Sequence, residues 1–197
     1  AKEVKNVCKN GKRVLITAGR TEELIDPVRY ISNRSSGKTA TAIASVFYEA
    51  GFDVTMVCGP MDVAAPGFSK VVNVRSAIEM HEAVLSRAKD YDVLVHCAAV
   101  ADYRPAEVAN EKIKDSRSQL HLDLIPNPNI LRDSVAQKRK GQVVVGFALE
   151  TEKPELHAKE KLEKSGADLL VLNMPVAKES GFGKDNVAFS LVEKGGA

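Results

Sequence analysis

The sequence predicts an α/β protein with a mostly parallel sheet in a three-layer, Rossmann-like arrangement. Short apolar runs alternate with segments of helical periodicity along most of the chain, which is typical of β–α units. Most of these runs are apolar throughout, which indicates strands buried on both faces of the sheet. The chain has 197 residues, a length that suits one domain, so we predict a single domain over residues 1–197.

In the N-terminal half, apolar runs that end near glycine or at polar residues predict strands, and apolar residues at helical spacing predict helices. Arg20–Gly37 is polar and contains Pro27, which predicts a loop. The predicted strands are Val14–Thr17, Asp53–Cys58, Val71–Val74 and Val93–Cys97, and the predicted helices are Lys38–Gly51 and Ala77–Ala88.

In the C-terminal half, Arg104–Gln119 is polar and charged, and we predict a long exposed loop there. Pro154–Ser165 is a charged amphipathic segment that precedes Gly166, which predicts a helix. The remaining elements are predicted strands over Val143–Phe147 and Leu169–Leu172, and a half-exposed edge strand over Asn186–Val192.

Composition excludes several classes of protein. A net charge of +2 with 5% aromatic residues and no Trp argues against a nucleic-acid binder. Cys8, Cys58 and Cys97 are far apart and form no CxxC pair, which favours reduced thiols in a cytoplasmic protein. No apolar run is long enough to span a membrane. The polar start, without an initiator Met, favours a domain excised from a longer protein.

The candidate site lies at the C-terminal ends of the predicted strands, where parallel sheets bind their ligands. Three segments reach this edge, namely Ala18–Lys38, Cys97–Lys114 and Phe147–Thr151. Within the first, Ile31–Lys38 is rich in serine and precedes a helix, so it could receive a phosphate or could be a plain helix cap. It is not a P-loop, because position 32 is Ser where that motif requires Gly.

The other candidate segments each have a functional and a structural interpretation. Asp102 follows four small residues and could hold a ribose hydroxyl, a base edge or a metal, or could simply cap a loop. Lys112 lies in a charged run that could close over a triphosphate or remain in solvent. Asn127–Ile130 has turn chemistry, Gly146–Thr151 could be plain sheet core, and one of Lys159, Lys161 and Lys164 could face a phosphate. The four histidines show no metal-ligand spacing, and the metal-binding residues stay unknown.

Taken together, five ordered segments resemble the motifs of phosphopantothenate–cysteine ligase, also called phosphopantothenoylcysteine synthetase. The similarity covers about residues 12–192. The matching segments are Asp26–Lys38, Ala98–Tyr103, Glu111–Lys114, Asn127–Ile130 and Val145–Thr151.

The resemblance implies a Rossmann-like domain that dimerises. Bacterial members use CTP and Mg²⁺ and are often fused behind a flavin-dependent decarboxylase. The carboxylate of 4'-phosphopantothenate attacks the α-phosphorus of CTP, which gives an acyl-cytidylate and pyrophosphate. The amine of L-cysteine then displaces CMP and forms the amide.

The resemblance also implies roles for individual residues. Asn33 handles the acyl intermediate, Lys112 contacts the triphosphate, and Arg29 belongs with Asn33 to the phosphopantothenate side of the site. The implied nucleotide-binding residues are His96, Cys97, Ala98, Asp102, Lys112, Asn127, Pro128, Asn129, Ile130, Phe147 and Lys161.

Three departures from the family pattern are visible. Lys38-Thr39-Ala40 stands where Lys-Met-Gly is common, Ser165 replaces an expected lysine, and Leu172-Asn173-Met174 replaces Ala-Asn-Asp. Two other functions fit the residues less well. A Rossmann dehydrogenase needs a GxGxxG turn that Ala18–Glu23 lacks, and a non-catalytic interaction module would have no need for Asn33 and Lys112. The preference for CTP over ATP does not follow from the residues.

Overall fold

A seven-stranded sheet forms the centre of the computed structural model, which describes residues 10–114, 119–149, 154–173 and 189–194. The strands are β1 (Arg13–Ala18), β2 (Glu22–Leu24), β3 (Tyr30–Ser32), β4 (Asp53–Cys58), β5 (Lys70–Asn73), β6 (Val93–His96), β7 (Tyr103–Pro105), β8 (Leu124–Pro126), β9 (Val143–Leu149), β10 (Leu169–Asn173) and β11 (Phe189–Glu193). The helices are α1 (Lys38–Glu49), α2 (Ala77–Leu85), α3 (Ile130–Ala136) and α4 (Pro154–Ser165), with a 3₁₀ turn at Ala88–Asp90.

The order of strands in the central sheet is β11-β10-β9-β6-β1-β4-β5. Every neighbouring pair is parallel except β10 and β11. From β1 the chain builds outward through β4 to β5, and it then returns to the other side of β1 with β6. The direction of winding therefore reverses between β1 and β6, and such a switch point leaves a crevice at the C-terminal ends of the strands.

Helices cover both faces of this sheet, so the predicted three-layer α/β fold is confirmed. Alternate residues of β1 point to opposite faces. Val14 and Ile16 belong to the core beneath α1, whereas Leu15 belongs to the core beneath α2 and α3. The same face continues beneath α4, where Leu170 packs with the helix residue Leu162.

The prediction of a loop over Arg20–Gly37 is wrong in part, because β2 and β3 form an antiparallel hairpin there. β2 shows no apolar pattern in the sequence because its buried residues are acidic. Glu23 is 3% exposed, and its carboxylate accepts a hydrogen bond from the Ala77 backbone N–H at 2.9 Å. Glu22 pairs with Arg75 at 2.9 Å.

Three further elements, β7, β8 and α3, were not predicted from the sequence. β7 and β8 pair antiparallel, so the predicted loop Arg104–Gln119 begins inside a strand. α3 follows the turn at Asn127–Ile130 directly. The C-terminal part of the predicted edge strand Asn186–Val192 is observed in β11, from Phe189 onward. Residues 186–188 lie outside the described range, as do Glu150, Thr151 and Cys8. Within the described ranges, no helix is both long and apolar enough to cross a membrane.

Candidate active site

A cavity of about 930 Å³ opens at the switch point. Its walls are the C-terminal ends of β1, β6 and β9, residues 33–37 with the start of α1, the start of α3, and one side of α4. The three segments that the sequence placed at the strand ends therefore all reach one cavity. The size suits a nucleotide or a cofactor-sized ligand.

Two close backbone approaches fix residues 33–37 at the cavity. A side chain on Gly19 would place its Cβ 2.6 Å from the Pro60 carbonyl, and one on Gly59 would lie 1.9 Å from the Arg20 carbonyl. Only glycine fits such contacts. Arg20 in turn donates to the Ser35 carbonyl at 2.9 Å, so the turn after β1 positions the serine-rich segment.

The backbone after β6 is held in an open, ligand-accessible conformation by threonine hydroxyls. Ala98 N–H donates to Thr17 Oγ1 at 3.1 Å, and Ala101 N–H donates to Thr21 Oγ1 at 3.0 Å. The residues between them are small, so a flat ligand can lie against the main chain. The cavity wall at Ala98–Asp102 is thus preorganised.

The two asparagines before α3 have different structural tasks. Asn127 donates through Nδ2 to the Ala101 carbonyl at 2.8 Å, and its backbone N–H donates to the Asp102 carbonyl at the same distance. Asn129 caps α3, because its Oδ1 accepts from Arg132 N–H at 3.0 Å. Both therefore shape the cavity wall, and Pro128 and the buried Ile130 line it beside them.

Asn33 reaches across the cavity mouth to the strand end of β6. Its Nδ2 donates to the Ala99 carbonyl at 3.0 Å. The amide keeps a second N–H and its oxygen for a ligand. Asn33 also lines the cavity, so it borders the same space as Ala98–Asp102.

The buried groups at the end of β6 are neutral near pH 7. Burial lowers the pKa of His96 to about 4 and raises the pKa of the Cys97 thiol to about 12. A protonated thiol is a poor nucleophile, so Cys97 acts as cavity wall. His96 Nε2 is buried and has no hydrogen-bond partner among the residues that the structure describes, which leaves it available to a ligand.

One side of α4 brings positive charge to the cavity. His157, Glu160, Lys161, Lys164 and Ser165 line it at helical spacing. Lys164 pairs with Glu160 at 3.1 Å, whereas Lys161 has no ion pair with any described residue. Lys161 is therefore the side chain of α4 best placed to meet an anionic ligand.

The far end of the cavity is aromatic. The rings of Phe147 and Phe189 meet edge to face with centroids 6.1 Å apart, and both line the cavity beside Asn173. The buried Oδ1 of Asn173 has no hydrogen-bond partner within the described part of the chain. Sequence reasoning named Asn173 only as a departure from a family pattern; its position at the end of an apolar strand was the signal that could have found it.

Two predicted site residues lie outside the cavity wall. Arg29 and Lys112 are absent from its lining, although both are described. Arg29 instead pairs with Asp26, whose side chain is 0% exposed. The hydrogen bond from Arg29 holds the pKa of the Asp26 carboxyl well below its usual range, with help from backbone N–H groups and against the effect of burial.

No metal cage is present among the described residues, which hold no group of three His, Cys, Asp or Glu side chains close enough to share an ion. Asp102 lines the cavity with its carboxylate exposed. Mg²⁺ usually binds through one or two carboxylates together with substrate phosphates and water. The site therefore fits a magnesium ion that arrives with a nucleotide.

Comparison with known proteins identifies relatives across nearly the whole chain. Residues 9–197 match the family described as "DNA/pantothenate metabolism flavoprotein C-terminal domain". The coenzyme A biosynthesis bifunctional protein CoaBC of Vibrio vulnificus (strain YJ016) is 43% identical over 182 residues, which is 91% of this chain and 45% of that protein. The chain thus spans about half the length of this curated relative.

Solved structures give the same result. The crystal structure of the C-terminal domain of CoaBC superposes with a TM-score of 0.79 at 37% identity, covering 96% of this chain and 85% of that one. A structure described as "Cab2 mutant H337A complex with phosphopantothenate-cysteine" superposes with a TM-score of 0.75 at 18% identity, covering 92% of this chain and 80% of that one. The second likeness concerns the fold alone.

Proposed function

This chain belongs to the family of the DNA/pantothenate metabolism flavoprotein C-terminal domain, and from that membership we propose that it joins 4'-phosphopantothenate to L-cysteine in coenzyme A biosynthesis. The names of its relatives support the pathway, since they are coenzyme A biosynthesis proteins. The observation that supports it most is the cavity at the switch point, which gathers Asn33, Asp102 and Lys161.

The proposed reaction has two steps and consumes CTP. A carboxylate oxygen of phosphopantothenate attacks the α-phosphorus of CTP, the bond to the β-phosphate breaks, and pyrophosphate leaves. The cysteine nitrogen then attacks the activated acyl carbon and loses a proton, and CMP leaves with the former carboxylate oxygen. Activation is needed because a carboxylate alone is a poor acyl electrophile.

We place the nucleotide against the backbone after β6. Ala98–Asp102 offers a flat wall, Phe147 borders it, and the neutral His96 supplies a buried ring nitrogen without a described partner. Asp102 would take a ribose hydroxyl or, with the phosphates, hold Mg²⁺. The ion would neutralise phosphate charge and orient the triphosphate.

Positive side chains offset the rest of the triphosphate charge. Lys161 faces the cavity from α4, and Lys112 would approach from its own segment when the nucleotide binds, because it lies outside the cavity wall without ligand. Charge grows on the departing pyrophosphate, so a lysine that meets it there stabilises the transition state. Asn33 serves the second step by donating to the acyl group, and Arg29 lies on the phosphopantothenate side.

The functional assembly extends beyond one copy of this chain. We propose a homodimer in the cytoplasm, fused in the full protein to a flavin-dependent decarboxylase domain. In support of a fusion, the relatives are named bifunctional proteins, and this chain covers about half of their length. Apolar side chains support the dimer. Val28, Tyr30, Tyr103 and Leu124 are 58%, 44%, 55% and 45% exposed. Val28 lies in the turn between β2 and β3, and the other three lie on strands of two small sheets, β2–β3 and β7–β8, that pack together.

Pyrophosphate release tests this function. The purified protein is incubated with Mg²⁺ and each of the four nucleoside triphosphates, with and without phosphopantothenate. We expect release with CTP only when phosphopantothenate is present, and an amide product once cysteine is added. No pyrophosphate and no amide with all components present would overturn the function, and equal release with ATP would overturn the nucleotide assignment.

A further inference from the structure

The segment that carries Lys112 is tied to the turn of the β2–β3 hairpin through both backbone groups of Ile113. The Ile113 backbone N–H donates to Asp26 Oδ2 at 3.1 Å. Its carbonyl accepts from Arg29 Nη2 at 2.8 Å. Both backbone groups of Ile113 are therefore held by one ion pair. We refer to Asp26, Arg29 and Ile113 as the clasp.

The two carboxylate oxygens of Asp26 accept hydrogen bonds from different groups. Oδ1 accepts from the backbone N–H groups of Val28 and Arg29, each at 2.8 Å, and so closes the turn of the hairpin. Oδ2 accepts from Arg29 Nε at 2.9 Å, from Arg29 Nη2, and from Ile113. One oxygen builds the turn, and the other joins the turn to the distant segment.

The clasp limits where Lys112 can go. Lys112 precedes the held residue by one position, so its Cα stays about 3.8 Å from that of Ile113. A second tie lies upstream, where Ala109 N–H donates to the Ile25 carbonyl at 3.0 Å. The segment is thus anchored on both sides of Lys112, and its motion is confined to the few residues between the anchors.

We propose that Asp26 is a positioning residue for Lys112, acting through Arg29 and the backbone of Ile113. This proposal rests on the proposed function, in which Lys112 meets the triphosphate. The segment moves about the clasp and not as a free loop, so the Lys112 side chain approaches the phosphates from a small range of positions. Positioning of this kind matters because a misplacement of about 1 Å can cost ~10²-fold in rate.

Asp26→Asn separates the two tasks of the carboxylate. The amide oxygen can still accept from Val28 and Arg29 and keep the turn. The NH₂ group then faces the donors of Arg29 and Ile113, and two donors cannot bond to each other. The change should therefore release Ile113 while leaving the hairpin intact.

The first readout needs no substrate. Trypsin cleaves after Lys112 and Lys114, and limited digestion of wild type without ligand should be slow at both bonds. Asp26→Asn should speed cleavage there by about tenfold or more, and Arg29→Lys should do the same because one ammonium cannot replace the guanidinium fork. Arg29 is 42% exposed, so this second variant tests the clasp even if the first does not fold.

The second readout is a double-mutant cycle on pyrophosphate release. Asp26→Asn should lower the rate about tenfold in wild type but less than about twofold in a Lys112→Gln background, because the two residues act through one contact. A merely structural role would lower both rates by the same factor. Equal factors, or unchanged tryptic cleavage in both Asp26→Asn and Arg29→Lys, would overturn the proposal.

Asp92→Asn is the matched control. Asp92 also accepts a backbone N–H, from Arg13 at 2.8 Å, and pairs with an arginine, Arg139, but it directly precedes β6, at the N-terminal ends of the strands and outside the cavity lining. Asp92→Asn should leave the rate of tryptic cleavage after Lys112 and Lys114 unchanged, and likewise the rate of pyrophosphate release per folded molecule. Wild type without pyrophosphate release would overturn the proposed function alone, whereas faster cleavage in Asp26→Asn would still support the clasp.

Discussion

At the scale of single residues, the site depends on polar groups that hold the backbone as much as on groups that face the cavity. Thr17 and Thr21 accept from Ala98 and Ala101, and Asn33 donates to Ala99. These contacts join strand ends that are distant in sequence. A ligand bound there meets a wall whose shape is already set, which reduces the entropy lost on binding.

Asn33→Ala should slow amide formation at least as much as it slows pyrophosphate release. In the proposed reaction the Asn33 amide donates to the acyl group, and loss of such a donor typically costs ~10²–10³ in rate. Rapid-quench analysis of each half-reaction measures both steps. Asn33→Asp, which keeps the shape but cannot donate when ionised, should behave like Asn33→Ala, and unchanged amide formation from the acyl-cytidylate would contradict this role.

His96 should make stability depend on pH in a defined window. Its folded pKa is about 4, below the unfolded value near 6.5, so the unfolded chain binds more protons between these values. The free energy of unfolding contributed by His96 is therefore fully present above pH 6.5 and falls by about 3 kcal/mol as the pH drops to 4.

Urea unfolding of wild type and His96→Gln across pH 4–7 checks this sign. The variant should lack the loss that wild type shows between pH 6.5 and 4, whatever its stability at pH 7. His121→Gln removes an exposed histidine instead and should retain the wild-type dependence. Parallel curves for wild type and His96→Gln would contradict the assignment.

At the scale of elements, the sequence predicted the strands of the central sheet well and the small hairpins poorly. A strand such as β6 is apolar at nearly every position because it is buried in the sheet, and such an apolar run predicts a strand. β2 is the opposite case, because Glu22 and Glu23 are buried by pairing with Arg75 and the start of α2. Without these tertiary contacts, the burial of the two carboxylates would be strongly unfavourable.

The candidate site was likewise predictable from the sequence only in part. His96–Asp102 could be foreseen because these residues come directly after an apolar run. The location of Lys112 outside the cavity could not be foreseen, since the clasp joins Asp26 to Ile113 across 87 residues. The turn chemistry of Asn127–Ile130 does not by itself predict the start of α3, although Asn129 followed by apolar residues is also typical of a helix start.

Asn129→Ala should destabilise the protein by about 1 kcal/mol, because α3 loses its N-cap acceptor. The helix has only seven residues, so its N-cap supplies a large share of its local stability. Urea unfolding measures the loss, and Asn129→Asp should recover most of it by accepting from the same N–H. If Asn129→Ala and wild type unfold at the same urea concentration, the cap contributes nothing and the account of α3 is wrong.

At the scale of the whole molecule, the sheet and its helices form a closed unit while the two small sheets extend apolar side chains to solvent. Tyr103 and Leu124 on β7 and β8 are 55% and 45% exposed. Exposed apolar side chains that lie together on a protein surface often mark a contact with a partner. A second copy of the chain is the partner that we expect to cover it.

Light scattering at micromolar concentration should report a dimer. Leu124→Lys should shift the equilibrium toward monomer, because a charge would then be buried in the contact. Val46→Lys changes a residue on α1 that is 66% exposed and should leave the dimer intact. A wild-type protein that is monomeric at this concentration, or equal dissociation of both variants, would contradict the dimer.

In the proposed reaction the carboxylate is activated by transfer of the nucleotide, and the fate of one oxygen atom distinguishes this route from the alternatives. Phosphopantothenate labelled with oxygen-18 in its carboxylate is converted with CTP, Mg²⁺ and cysteine, and the products are weighed by mass spectrometry. The acyl-cytidylate route predicts one labelled oxygen in CMP and none in pyrophosphate. Unlabelled CMP, or label in inorganic phosphate with release of CDP, would contradict it.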